Sequence, residues 1–268
     1  MIYYTIDPPP ALTRYVRFFW VLEGQPRDGL YIHRSMPDGC AELLFHYKGI
    51  FRELHPGGSS STSITSGIAG PSDRFSRFAI DRPFGLFGVY LYPYALSRLF
   101  GIPASDFINS IPCLDELLGQ QGRDLEERMM LAACNKKRAS IIGSFLLRRL
   151  AIEDCHSHPC VVPMVRYIME TKGTRPIEEL AANYHLSKRH LERLFKQHTG
   201  FSPKLYSRIV RFHHAMSFFG KSQGSLTDIA YDCGYFDQSH FIHEFREFSG
   251  LHPRHYFAGT TEATEWKK

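Results

Sequence analysis

Two stretches of equal length decide the fold: residues 186–206 read LSKRHLERLFKQHTGFSPKLY, and residues 236–256 read FDQSHFIHEFREFSGLHPRHY. Five positions of the first stretch have counterparts 50 residues later in the second. They are Leu191, Phe195, Gly200, Pro203 and Tyr206, matched by Phe241, Phe245, Gly250, Pro253 and Tyr256. Such repetition indicates two copies of one structural unit. The segment 203–219 between them predicts a single connecting helix.

The first copy has the pattern of a helix-turn-helix. Pro176 suits the first turn of one helix, and Ser187 is placed to cap the next by accepting a hydrogen bond from a backbone amide. An apolar stripe on the second helix leaves a polar face made of Lys188, Arg189, Glu192, Arg193 and Lys196. In the major groove of DNA, arginine can pair with guanine, while lysine mostly contacts phosphates.

The second copy repeats this design with different outward residues. Asp237 stands where Ser187 stands in the first copy, so it is the predicted cap. The outward positions of its second helix are Gln238, Ser239, Ile242 and His243. Glutamine can pair with adenine, whereas isoleucine can only contact a thymine methyl group.

The charge of the whole chain, +5 over 268 residues, does not indicate a class of partner. Its distribution is more informative, because residues 187–221 contain eight basic residues and a single acidic one, Glu192. This pattern fits a surface that meets a polyanion, although a solvated helix face would have the same composition. With 43% hydrophobic and 22% charged residues, the composition excludes disordered and fibrous proteins.

The first hundred residues have the pattern of short strands separated by turns, and the chain then becomes helical. The predicted fold class is α+β: a β-rich barrel or sandwich domain with trailing helices, followed by an all-α domain of two helix-turn-helix units joined by a connecting helix. The predicted boundaries are 1–151 for the β-rich sensor or dimerisation domain, 152–162 for a linker, 163–258 for the DNA-binding domain and 259–268 for a tail. Residues 59–66, rich in serine and threonine, fit either a loop or an edge strand.

The repeated segment closely resembles the AraC/XylS-type transcription regulators. The resemblance covers about residues 163–257 and rests on the motifs of both copies, including Gly234-Tyr235 and Asp237-Gln238-Ser239. It implies that Arg189, Glu192 and Arg193 read bases in one groove, and Gln238, Ser239, Ile242 and His243 in the next. Members of this family commonly have a small polar residue in place of Ile242 and arginine in place of His243, so we expect the first unit to dominate sequence reading.

The leading segment is more loosely similar to aromatic-rich sensor domains of this family. The similarity implies control by a small-molecule effector or by a partner subunit. The partner subunit can be a second copy of the chain, which would make the protein a homodimer. The partners implied are double-stranded promoter DNA and, for an activator, RNA polymerase. We expect a cytoplasmic, nucleoid-associated protein with no membrane segment, no catalytic residues, no metal and no cofactor. The effector, the target sequence and the choice between activation and repression are not encoded in any recognisable motif.

The alternative is a metal-dependent β-barrel enzyme fused to a helical module. Candidate ligands for such a metal are His33, Glu42 and His46. The predicted strands contain no His-x-His pair that would place two imidazoles on one face. In the simpler interpretation, these three residues occupy edge or hydrogen-bonded positions of the barrel. A second cluster, residues 155–160, contains two cysteines and two histidines and fits either a metal site or a plain linker. The aromatic stretch 75–94 fits either an effector pocket or ordinary core.

Overall fold

The computed structural model describes residues 1–26, 29–152, 160–218, 225–259 and 262. The described part of the N-terminal domain contains nine strands, and aromatic and β-branched residues are frequent in the long ones. The strands are β1 (Ile2–Ile6), β2 (Val16–Gly24), β3 (Tyr31–Ser35), β4 (Ala41–Lys48), β5 (Arg52–Leu54), β6 (Ser60–Thr62), β7 (Ser66–Ala69), β8 (Ser76–Ile80) and β9 (Phe84–Leu91).

The strands form two sheets. A five-stranded sheet has the order β1-β2-β9-β4-β7, and a four-stranded sheet has the order β3-β8-β5-β6. Neighbouring strands within each sheet pair in the antiparallel direction. Strand β6 is the edge of the smaller sheet, so part of the serine- and threonine-rich stretch is an edge strand.

The five-stranded sheet is buried on both faces. In β2, Phe19 and Val21 belong to one apolar cluster, while Trp20 and Leu22 belong to another. Because side chains alternate along a strand, each face of the sheet packs against a different layer. The layer on one face is helical and that on the other is the smaller sheet.

The trailing helices cover one face of the larger sheet. They are α1 (Ala95–Phe100), α2 (Leu114–Leu118), α3 (Gln120–Met130) and α4 (Asn135–Leu150), with short 3-10 turns at Pro10–Leu12 and Ala104–Phe107. Leu125, Ile142 and Phe145 pack in the same cluster as Phe19 and Phe87. The apolar faces of α3 and α4 therefore pack on the sheet.

The C-terminal domain is helical throughout its described residues. Its helices are α5 (Val161–Glu170), α6 (Ile177–Asn183), α7 (Lys188–Thr199), α8 (Pro203–Met216), α9 (Leu226–Asp232), α10 (Gln238–Ser249) and α11 (Pro253–Phe257). Together with the two sheets, they confirm the predicted α+β fold class. Helix α8 confirms the connecting helix. The four predicted domain boundaries remain predictions, and residues 155–159 of the Cys/His cluster lie outside the described residues.

A loop of the N-terminal domain packs against the connecting helix. Met36 lies in the same apolar cluster as Tyr206 and Ile209 of α8. His213 donates from Nε2 to the carbonyl oxygen of Pro37 at 2.7 Å. Gly39 has a φ of +68°, and a Cβ there would lie 2.8 Å from the Tyr206 ring, so this close approach requires glycine. The two domains therefore meet through residues 36–39.

Candidate nucleic-acid interface

The first helix-turn-helix consists of α6, a short turn and α7. The backbone amide of Leu186 donates to the carbonyl of Ala181 at 3.0 Å, which reverses the chain direction after α6. His185 takes a φ of +52° in this turn. Ser187 then accepts a hydrogen bond from the amide of His190 at 3.3 Å, which confirms its predicted role as the cap of α7.

Helix α7 separates apolar from charged residues as its sequence period predicts. Leu191, Leu194 and Phe195 are buried. The five predicted contact residues on the opposite face are all exposed: Lys188, Arg189, Glu192, Arg193 and Lys196. Lys188 forms an ion pair with Glu178 of α6 at 2.7 Å, and both side chains are largely exposed. Such a pair is weak in water, so Lys188 can exchange this partner for a phosphate.

The second helix-turn-helix consists of α9, its turn and α10. Gly234 has a φ of +72° in the turn, where an L-residue would be strained. Asp237 accepts a hydrogen bond from the amide of His240 at 2.7 Å and so caps α10 as predicted. Phe241 and Phe245 are fully buried, as their apolar spacing predicts.

The outward residues of α10 are less available than those of α7. Ser239 and His243 are exposed, whereas Asp237, Gln238 and Ile242 are partly buried. Thr227 of α9 donates to Oε1 of Gln238 at 3.3 Å. A glutamine held in this way has fewer hydrogen-bonding groups left for a base, and the dominance of the first unit in sequence reading stays a prediction.

Of the seven basic residues in the stretch 187–221 that the structure describes, Arg208 and Arg211 pair with a buried carboxylate. Arg208 of α8 contacts Glu244 at 2.7 Å and Glu247 at 2.6 Å, and Arg211 contacts Glu244 at 3.4 Å. Glu244 is only 2% exposed, so the guanidinium groups compensate a buried carboxylate. The positive charge offered to a polyanion is therefore smaller than the sequence count suggests. These pairs instead fix α10 against the connecting helix.

A cleft with basic residues on its walls lies between the two units, and the sequence pattern does not mark it. The cleft has a volume of about 520 Å³, and its walls include Arg175, Lys204, His240 and His243. Arg175 and Lys204 are exposed. Arg175 lies outside the repeated stretches, so no pattern marked it. Phe236 was also missed; it is 85% exposed directly before the cap of α10, at the position that matches Leu186.

Within the described ranges, no group of three or more histidine, cysteine, aspartate or glutamate side chains is arranged to hold a metal ion. His33 lies on the edge strand β3 of the smaller sheet, and Glu42 and His46 lie on β4. All three residues line a cavity between the two sheets. For the same described residues, none of the helices has both the length and the apolar character needed to cross a membrane.

Comparison with known proteins gives two family matches. Residues 180–259 match a helix-turn-helix domain, and residues 4–112 match a domain of unknown function (DUF6597). The HTH-type transcriptional activator RhaS of Klebsiella pneumoniae is 43% identical over 77 residues, which cover 29% of this chain. The match spans only 28% of the length of that relative.

Two solved structures give weaker similarity. ToxT from Vibrio cholerae is 12% identical with a TM-score of 0.49, covering 90% of this chain and 97% of that one. A probable AraC family transcriptional regulator from Rhodopseudomonas palustris is 27% identical with a TM-score of 0.35, covering 38% and 97%. The helix-turn-helix family match begins within α6 and covers α7 to α11. Residues 180–259 therefore match a helix-turn-helix domain family, in agreement with the capped helices α7 and α10.

Proposed function

We propose that this protein is a sequence-specific regulator of transcription that binds promoter DNA with α7 and α10 in adjacent major grooves. The observation that carries the proposal is the pair of capped helices with outward polar faces, joined by one rigid connector. Helix α8 has 14 residues and is therefore about 21 Å long. A strut of this length supports two reading helices near successive turns of a duplex, which are roughly 34 Å apart.

Within this proposal, α7 provides most of the base contacts. Arg189 and Arg193 supply paired donors that fit guanine, and Glu192 can accept from cytosine. Lys188 and Lys196 contact phosphates, as do Ser187 and Asp237 through the amides of the helix starts that they cap. From α10, Gln238, Ser239, Ile242 and His243 make fewer base contacts. Arg175 and Lys204 extend the phosphate contacts into the cleft between the two units.

The N-terminal domain is proposed to control this activity in response to an effector or a partner. A ligand can shift the equilibrium between two arrangements only if it binds one of them better. Residues 36–39 lie against α8, so a change in the β-rich domain can reach the connecting helix directly. A further contact joins the domains, because Arg34 donates to the carbonyl of Ser249 at 2.9 Å.

Other parts of the proposal follow from the DNA-binding role. We infer a cytoplasmic protein without catalytic activity or cofactor, since the bacterial relative that it matches is named as a transcriptional activator. Activation would bring RNA polymerase in as a partner, and homodimerisation would pair two copies on longer sites. Light scattering of the purified chain measures the oligomeric state.

Selection of bound duplexes from a random pool by the full chain tests the proposed function. The expected result is enrichment of one sequence whose binding weakens steeply with salt, because lysine and arginine contacts release counterions. An unenriched pool after repeated rounds in dilute buffer would overturn the proposal. If substitutions in α7 abolish the enrichment and substitutions in the N-terminal cavity do not, DNA binding and its control lie in different parts of the chain.

A further inference from the structure

The N-terminal domain contains a two-chambered cavity between its sheets. The outer chamber has a volume of about 310 Å³ and the inner one about 100 Å³. Glu42, Leu44 and Phe78 line both chambers. The inner chamber is otherwise largely apolar, with Trp20 and Leu22 among its walls. A cavity of this kind fits a small molecule that has one apolar and one polar part.

The charged groups that line the cavity are mostly acidic. Asp38, Glu42 and Glu53 face the outer chamber, whereas the guanidinium that lines it, from Arg74, belongs to an exposed residue. His33 and His46 line the inner chamber, and burial lowers the pKa of each to about 4. Both imidazoles are therefore neutral near pH 7. The cavity disfavours carboxylate and phosphate ligands, because nothing in its inner walls would compensate their charge.

Two of the three carboxyl groups already have partners. Asp38 accepts from the amide of Cys40 at 2.9 Å and from the hydroxyl of Tyr90. Glu53 accepts from the hydroxyl of Ser76 at 3.2 Å. These hydrogen bonds hold the outer wall in place and are explained by the protein alone.

Glu42 differs from the other two carboxyl groups. It has no hydrogen bond or ion pair with any described residue, although it is enclosed between the sheets. Burial and the nearby Asp38 raise the pKa of Glu42 well above its ordinary value. Glu42 is only partly buried, so a hydrogen-bond donor that enters the cavity can reach its carboxyl group. Its surface faces the cavity, so a ligand that enters there supplies the missing partner.

We propose that this cavity binds a small organic ammonium ion, with the ammonium group against Glu42 and its apolar part in the inner chamber beside Trp20 and Phe78. An ammonium group donates hydrogen bonds to a carboxylate, and charge-assisted bonds of this type are about twice as strong as neutral ones. The aromatic walls add favourable contact with an apolar group. This inference rests on the proposed control through the N-terminal domain and names the chemistry of the effector.

The position of Asp38 connects the cavity to the helical domain. Asp38 lines the outer chamber and lies in the same loop as Pro37 and Gly39, which contact α8. A cation between Glu42 and Asp38 attracts both carboxyl groups and stabilises the ionised form of Glu42, whose pKa is otherwise raised. Its binding therefore favours one position of the loop, and the loop contacts the connecting helix through His213 and Tyr206.

Isothermal titration of the full chain without DNA tests the ligand class. The probes are phenethylamine, 2-phenylethanol and 3-phenylpropanoate, which share an aromatic group and differ in charge. We expect phenethylamine to bind at least about tenfold more tightly than either analogue. Equal or tighter binding of the alcohol or the carboxylate would overturn the proposal, as would a lack of binding by phenethylamine at millimolar concentration.

Two matched variants assign the binding to the cavity. Glu42→Gln keeps the shape of the side chain and should remove the preference for the amine over the alcohol. Glu127→Gln changes an exposed glutamate on α3 and should leave the preference intact. Thermal unfolding checks that both variants fold. If folded Glu42→Gln still prefers the amine, the ammonium group does not pair with Glu42 and the proposed site is refuted. This result does not depend on the outcome of DNA selection by the wild-type chain.

Discussion

Replacing Arg193 with alanine tests base reading by α7 directly. The side chain is exposed on the polar face of α7 and forms no ion pair with any described residue, so its guanidinium is free to bind DNA. A bidentate contact between arginine and guanine contributes about 1–3 kcal/mol of discrimination. The corresponding loss of affinity for the selected duplex is about 5- to 150-fold.

Fluorescence anisotropy with three kinds of duplex measures this effect. The selected duplex should bind Arg193→Ala more weakly, a set of single-base-pair variants should show lost preference at one position, and a random duplex should change little. Arg128→Ala, which changes an exposed arginine of α3 outside the helix-turn-helix domain, is the matched control. An equal loss on selected and random duplexes would show that Arg193 contacts phosphate and does not read a base.

Four further variants test other parts of the account. Lys196→Ala should weaken binding to all duplexes alike and lower the slope of log affinity against log salt by about one; an unchanged slope would remove Lys196 from the phosphate contacts. Ser187→Ala should lower the free energy of unfolding by about 1 kcal/mol through loss of the cap, measured by urea denaturation, and a loss near zero would contradict the cap. Glu244→Ala removes the buried carboxylate that pairs with Arg208 and Arg211, while Arg208 keeps Glu247, and should cost about 1–3 kcal/mol in the same assay, whereas a neutral effect would mean that the pair does not hold α10. In the wild type, the pKa of Glu42 is raised in the folded state, so the folded protein keeps a proton that the unfolded chain loses above the ordinary pKa of 4.5. The free energy of unfolding therefore falls as pH rises above 4.5. Glu42→Gln should raise Tm at pH 8 more than at pH 4, and an equal rise at both pH values would contradict the raised pKa.

The helical domain could be predicted from sequence because its signals are local. The spacing of Leu191 and Phe195, repeated in Phe241 and Phe245, defines two buried stripes, and the caps Ser187 and Asp237 lie directly before each helix. Helix periodicity and capping depend on residues only a few positions apart. A single sequence therefore contains enough information to place them.

The partners of the basic residues could not be predicted in this way. Arg208 and Glu244 are far apart in sequence and meet only because α10 packs across α8. The charge count assigned Arg208 to the surface facing DNA, whereas the structure assigns it to an internal pair. Long-range pairing depends on helix packing, which the local pattern does not specify.

The polar lining of the cavity was missed for a different physical reason, although the aromatic stretch 75–94 left an effector pocket open and its Phe78 lines both chambers. Glu42 and His46 alternate with apolar residues on β4, a pattern that usually indicates one solvated face. Here both faces of the sheet are covered, one by helices and the other by the smaller sheet, so the polar positions point into the interior.

A base-resolved footprint of the full chain on its selected duplex shows whether one chain places two reading helices in successive major grooves. We expect two protected patches on one side of the duplex, separated by about 10 base pairs, with the patch of α7 lost selectively in Arg193→Ala. A single patch, or two patches on opposite sides of the duplex, would contradict this arrangement.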